Sequence, residues 1–283
     1  MPGKVSCQVS VMVGKRRGMD SGKVAIFNSL TWFITTLLLA LNVAATPATA
    51  ADLTVSAAAS LTDAFRATAT AYEARRPGVR IILNLAGSGQ LLQQIDNGAP
   101  VDVFASADEE TMDQAQASRL IIDDSRTNFA RNTLVLIEPA DNPSQPGSGQ
   151  LQSLSDITRP DVGRIAISNP EIVPVGRYSR DALRAQGLWA GIQPRLVTTQ
   201  SVRQSLAYVA RAEVDAGFVY ATDVRVVPGK VRIVANVATV QPIVYPIAVV
   251  RFSRQPDAGR DFIAFVRSAE GQDILQRFGF LKP

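Results

Sequence analysis

Histidine is absent from the chain, and the only cysteine among its 283 residues, Cys7, stands near the N-terminus. A Ser-His-Asp triad, a Cys-His pair and a zinc site of His and Cys ligands are therefore excluded. Past residue 50 only two lysines remain, Lys230 in a turn and Lys282 at the C-terminus, so a Ser-Lys dyad has no well-placed base. Hydrolysis by carboxylates alone stays formally open. With no cysteine after Cys7 there is no disulfide to form, and the folded part must be stable through its core.

The first fifty residues read as an export leader. Lys15, Arg16, Arg17 and Lys23 make a basic region, an apolar run extends from Trp32 to Ala45, and Ala48-Thr49-Ala50 has the A-x-A form of a cleavage site. Ala51 is then the first mature residue. The run is short for a membrane span, and no cysteine follows a lipobox, so a soluble periplasmic product is expected. The leader holds five bases (Lys4, Lys15, Arg16, Arg17, Lys23) and one acid (Asp20). Subtracting them from 29 Lys+Arg and 25 Asp+Glu leaves 24 of each, so the net charge of +4 belongs to the leader. A neutral mature chain has no global field pointing to nucleic acid. Its length, roughly 233 residues, suffices for one large or two smaller domains.

Apolar runs and amphipathic stretches then alternate. Strands are expected at Leu53–Ala58, Val79–Leu85, Val101–Ser106, Thr133–Glu138, Arg164–Ser168, Arg195–Thr198, Ala216–Tyr220, Val231–Val234 and Val244–Val250. Helices are expected at Thr62–Arg76, Leu91–Asn97, Asp108–Arg119, Leu151–Ile157, Gly176–Gln186, Ser201–Arg211, Asp257–Ser268 and Gly271–Phe278. The alternation predicts an α/β fold, and the near-doubling of the series suggests two lobes, each a mainly parallel sheet flanked by helices. Chain crossings near Asn132–Leu134 and Thr239–Pro246 would divide the protein into a discontinuous first lobe, 51–132 with 245–283, and a second lobe, 133–244.

Ligands of open α/β sheets bind at the carboxyl ends of strands, where helices begin. The junctions are AAASLTDA, LAGSGQLL, NPEIVPVGRYS and TTQSVRQS, together with the strand end FVYATD around Tyr220. Ser60, Ser88 and Ser201 each precede a helix, and taken singly each reads as a cap; Ser60-Leu61-Thr62-Asp63 has the S-x-x-D form. Gly87 and Gly89 leave the backbone beside Ser88 free to approach a ligand. Several helix N-termini converging on one cleft would bind an anion with unpaired N–H groups and no formal positive charge. The junctions carry only two arginines. Arg177, with Arg180 and Arg184, is expected on a solvated helix face, with importer docking as the alternative; Asp63 and Glu73 compete for that docking role.

The stretches AAASLTDAF, GSGQLLQQIDNGAPVDVFASAD, NPEIVPVGRYSRDAL, SVRQSLAYV, GFVYATD and the terminal FGF resemble the periplasmic molybdate-binding proteins that feed an ABC importer. The resemblance spans residues 53 to 281 and implies two lobes of the type II periplasmic-binding fold closing on a tetrahedral oxyanion, molybdate or tungstate. It implies no cofactor, since molybdenum would enter only as the oxyanion, and it implies a monomer whose partner is the importer's membrane permease. By position the ligand contacts fall on Ser60 and Ser88 (hydroxyl and backbone N–H), Val175 and Val202 (backbone N–H) and Tyr220 (hydroxyl). Val175 is often alanine in this family, and Gly87 and Gly89 stand where some members have serines. Ser60 would then be both cap and ligand. Other readings are a binder of sulfate or another small oxyanion, an exported structural domain, and a periplasmic hydrolase using Ser60 as nucleophile. The last lacks a base, so no enzyme is expected.

Overall fold

The computed structural model describes residues 51–141 and 150–283, with Ser10, Met12 and Gly14 as isolated positions before them. The apolar run of the leader and its A-x-A signal lie outside the described residues. The chain runs through β1 (Ala51–Ala58), a 3-10 turn at Ala59–Leu61 and α1 (Thr62–Arg75). Along α1 the residues Phe65, Thr68, Ala69 and Tyr72 recur at helical spacing and are buried, which fixes the helix against the first sheet. Gly78, with φ at +91°, takes the left-handed position of the turn that follows, in which the Val79 amide donates to the Arg76 carbonyl at 3.0 Å across Pro77-Gly78.

Next come β2 (Val79–Ala86), α2 (Ser88–Asp96), β3 (Val103–Ala105), α3 (Glu109–Ala117), β4 (Thr127–Asn132) and β5 (Leu134–Pro139). After them follow β6 (Ile165–Ser168), α4 (Pro174–Ala185), α5 (Trp189–Ile192), β7 (Leu196–Thr199), α6 (Val202–Ala210) and β8 (Ala216–Tyr220). The short α7 (Ala221–Val224), β9 (Val231–Val237), β10 (Ile243–Val249), α8 (Pro256–Arg267) and α9 (Ala269–Arg277) complete the chain.

Two five-stranded sheets result, ordered β2-β1-β3-β10-β4 and β7-β6-β8-β5-β9. Each is mainly parallel in strand direction, as expected, with one reversed strand that makes it mixed. In the first, β1 pairs parallel with β2 and β3 while β10 runs antiparallel to β3 and β4; in the second, β6 pairs parallel with β7 and β8 while β5 runs antiparallel to β8 and β9. Parallel neighbours need a helical crossover between them. β5 and β10 instead arrive by short links from the other sheet, and so enter against the direction of their neighbours. The chain passes from the first sheet to the second at Thr133 and returns between Val237 and Ile243.

Local differences from the pattern are few. The helix expected at Leu151–Ile157 is only a 3-10 turn, Leu154–Thr158. β4 has no counterpart in the expected series, because TNFARN lacks an apolar run. Helix α4 starts at Pro174, a residue suited to a first turn whose N–H has no acceptor anyway. The C-terminal helices return to the first sheet's side: Tyr72 in α1 donates to Asp261 in α8 at 2.9 Å, and Arg76 holds the same carboxylate. The rings of Phe65, Phe129, Tyr245 and Tyr220 form a run of tilted and edge-on contacts, 5.7, 6.2 and 5.9 Å between successive centroids. That run carries the core from α1 to the end of β8.

Candidate functional site

Strand ends bring the five expected residues together. Ser60 lies in the turn after β1, Ser88 is the first residue of α2 after β2, and Tyr220 is the last residue of β8. Val175 sits in the first turn of α4, after the loop from β6, and Val202 opens α6 after β7. All five line a single small cavity. Its other walls are small or aliphatic: Ala58, Ala59, Ala86, Gly87, Ala107, Val173 and Pro174. No charged side chain lines it.

The polar side chains on it, those of Ser60, Ser88 and Tyr220, are all hydroxyls. The amides of Ser88, Val175 and Val202 belong to first helical turns, where the helix supplies no acceptor. Ser88 Oγ accepts from the Ala107 amide at 3.1 Å, which leaves its own proton to donate. Tyr220 is buried, and its Oη has no hydrogen-bond partner among the described residues. Burial pushes the Tyr220 phenol well above its ordinary range, so it keeps its proton and acts as a donor. A buried hydroxyl without a partner costs about 1–3 kcal/mol, which a ligand oxygen would relieve.

One expectation for Ser60 is overturned. Ser60 is not the cap of the helix after it; the residue preceding α1 is Leu61, and no side chain caps its amides. Ser60 lies inside the 3-10 turn Ala59–Leu61, so the cap position falls one residue later, on Leu61, and the S-x-x-D spacing is out of phase. Ser60 Oγ instead lies 3.0 Å from Tyr245 Oη. Substituting Ser60 therefore removes no cap. Ser201, by contrast, does cap α6, accepting from the Gln204 amide at 3.2 Å.

Arg177 also departs from expectation. It is buried rather than solvated, and it donates through Nε and Nη2 to Asp108 Oδ2 at 3.0 and 2.6 Å and to Thr111 Oγ1 at 2.6 Å. Arg203, beside Val202, stands 2.9 Å from both Asp63 and Asp223, off the line of a hydrogen bond. Burial raises the Asp223 carboxyl to about 7 against the opposing pull of Arg203. Asp63 is thus engaged within the protein, as is Glu73, which accepts from the Ile81 amide at 2.7 Å. Sequence reasoning missed Asp108, Asn132 and Tyr245 as partners of the site. Only the tyrosine inside the otherwise aliphatic IVYPIAV carried a signal.

The contacts across the cavity join elements of the two sheets. The Gly89 amide in α2 donates to the Ile172 carbonyl at 2.9 Å, and Gln90 Nε2 to Gln200 Oε1 at 3.2 Å. The sequence and the fold are matched by known proteins. The family described as bacterial extracellular solute-binding protein matches residues 53–281.

The chain belongs to that family. Members bind solutes, so this extracellular solute-binding protein is a binder and not an enzyme, placed outside the cytoplasm. It is 33% identical over 253 residues to the molybdate-binding protein ModA of Haemophilus influenzae, covering 87% of this chain and 96% of that one. It is 37% identical over 235 residues to the ModA of Mycobacterium bovis, covering 83% and 86%. Among solved structures, the substrate-binding domain of a putative molybdenum ABC transporter from Clostridium difficile superimposes with a TM-score of 0.62 at 34% identity, covering 82% of this chain and 99% of that one. No helix among the described residues is long and apolar enough to cross a membrane.

Proposed function

We propose that this solute-binding protein is the periplasmic receptor of an ABC importer, holding molybdate, and tungstate nearly as well, for delivery to the membrane permease. The observation that carries the reading is the Tyr220 hydroxyl, a buried donor without a partner among the described residues, on a cavity lined by no charged side chain. Similarity to proteins named for molybdate supports the choice of anion. Ser60 and Ser88 contribute hydroxyl and amide, Val175 and Val202 amides, and Tyr220 its hydroxyl. Residues 51–132 with 245–283 act as one lobe and 133–244 as the other, a division supported by the strand order. The mature protein starts at Ala51 and works as a monomer.

Selectivity follows from the donor set. A dianion among N–H and O–H groups is held by charge-assisted hydrogen bonds spread over several dipoles. An oxyanion that keeps a proton would bring a donor where no acceptor waits, so phosphate and arsenate are poor guests at neutral pH. Sulfate carries no proton but has shorter bonds, which leave some donors unreached. A ligand that binds only the folded protein raises its melting temperature by mass action. In a thermal-shift panel, large and similar shifts are expected for molybdate and tungstate, a small one for sulfate and none for phosphate. Sulfate or phosphate outranking molybdate would overturn the named ligand.

Tyr220→Phe keeps the ring's packing against Tyr245 and removes one donor. Calorimetric titration with molybdate should show a loss of about 1.5–3 kcal/mol, the scale of a hydrogen bond to a charged group. Unchanged affinity would remove Tyr220 from the binding set.

A further inference from the structure

The Ser60 hydroxyl does not stand alone. Its oxygen is 3.0 Å from Tyr245 Oη, and Tyr245 Oη is 3.2 Å from Asn132 Nδ2. Asn132 Nδ2 is also 2.9 Å from Thr222 Oγ1, two residues past Tyr220. The amide can face only one way. The Thr133 backbone N–H, which can only donate, meets Asn132 Oδ1 at 2.9 Å, so the oxygen is turned to Thr133 and both amide protons are turned to Tyr245 and Thr222.

From that anchor the direction of every bond follows. Tyr245 Oη accepts from Asn132, so its single proton goes to its other neighbour, Ser60 Oγ. Ser60 Oγ accepts that proton and keeps its own for the cavity that it lines. We infer that Asn132 and Tyr245 are positioning residues that set the polarity of Ser60, holding its hydroxyl as a donor toward the bound anion and so denying an acceptor to protonated oxyanions. This rests on the oxyanion reading above and deepens it. Tyr245 and Asn132 are both buried, and the Tyr245 ring is fixed among Phe129, Phe280 and Tyr220, so the chain has little freedom to reverse. Chains of buried hydrogen bonds also polarise one another, which strengthens the last donor in the series.

The test uses the purified full-length mature protein, calorimetric titration with molybdate, and competition of bound molybdate by sulfate and by arsenate at neutral pH. Tyr245→Phe keeps the ring and deletes the hydroxyl. It is expected to weaken molybdate about tenfold, one hydrogen bond's worth. Ser60 is then free to turn a lone pair outward, so the preference for molybdate over arsenate should narrow while that over sulfate, which has no proton, stays as it was.

Asn132→Asp keeps the size but reverses the relay. The introduced carboxylate accepts the Tyr245 proton, the Tyr245 oxygen accepts from Ser60, and the serine proton turns away from the anion. Molybdate should weaken more than in Tyr245→Phe. The double variant Asn132→Asp with Tyr245→Phe should bind better than Asn132→Asp alone, since the carboxylate then has no route to Ser60. A double variant no better than the single would show that the added charge alone acts, and would overturn the relay. So would Tyr245→Phe, folded by its melting curve, with unchanged affinity and unchanged arsenate preference. Failure of the unsubstituted protein to bind molybdate would instead overturn the reading on which the relay rests.

Discussion

Asp108→Ala should destabilise the molybdate-bound protein by about 3–5 kcal/mol, the usual cost of removing one partner of a buried ion pair. The Arg177 guanidinium and the Asp108 carboxylate are 7% and 5% exposed, so the arginine left behind has little access to water. Glu110, 3.4 Å from Arg177 Nε but largely exposed, compensates only in part. About 1 kcal/mol of the loss comes from a second role, because Asp108 Oδ1 caps α3 by accepting from the Thr111 amide at 3.2 Å. Asp108→Asn separates the two, since an amide oxygen still caps but no longer balances the charge.

The pair joins an element after β3 in the first sheet to one after β6 in the second. If the proposed lobes part without ligand, Arg177 returns to water, and the loss should be larger with molybdate than without. Urea unfolding of Asp108→Ala under both conditions measures the difference. A loss of no more than 1 kcal/mol in the presence of ligand would show that the pair does not hold the closed form.

Gly89→Ala should weaken molybdate by about 1–3 kcal/mol, roughly 5- to 150-fold, on the scale of overpacking a close contact. A β-carbon at Gly89 would stand 2.6 Å from the Ile172 carbonyl oxygen and 3.0 Å from its Cα, both backbone atoms that cannot swing aside. The strain falls on the arrangement in which α2 meets the segment before α4, where the Gly89 amide donates to that same carbonyl. If the proposed lobes separate without ligand, that strain is released, while alanine in a helix is favoured over glycine by about 1 kcal/mol. The variant should therefore melt no lower than the parent without ligand, yet show a much smaller rise when molybdate is added. Equal rises in the two proteins would mean that the α2–Ile172 contact is not needed for binding.

The binding junctions were legible because they depend on local pattern. Apolar runs of strand length ending in small residues, serines or glycines mark where β1, β2, β7 and β8 stop, and a helix after each must leave its first amides unpaired. That reasoning located Ser60, Ser88, Ser201 and Tyr220 before any fold was known, and the resemblance to molybdate-binding proteins added Val175 and Val202. What it could not supply was the partner of each group. Ser60 looked like a cap because four consecutive residues fitted a cap; its actual neighbour, Tyr245, is 185 positions away. Arg177 looked solvated because basic residues on a helix usually are; its partner, Asp108, is 69 positions away, after β3 of the other sheet.

By itself, then, the amino-acid sequence narrowed the chemistry of the cavity: without histidine, and with lysine and cysteine all but absent, the nucleophilic and zinc chemistries that need them are excluded, and the strand-end junctions are rich in small residues, hydroxyls and first-turn amides. Strand and helix periodicity determined where those donors fall along the chain. Only the tertiary structure decided the mixed character of the sheets, since the direction of β5 and β10 depends on which sheet they come from. It alone decided which donors keep a free proton for a ligand. Asn132, Tyr245 and Ser60 come from β4, β10 and the turn after β1, and hydrogen-bond direction is set by contact in space, which no local pattern encodes.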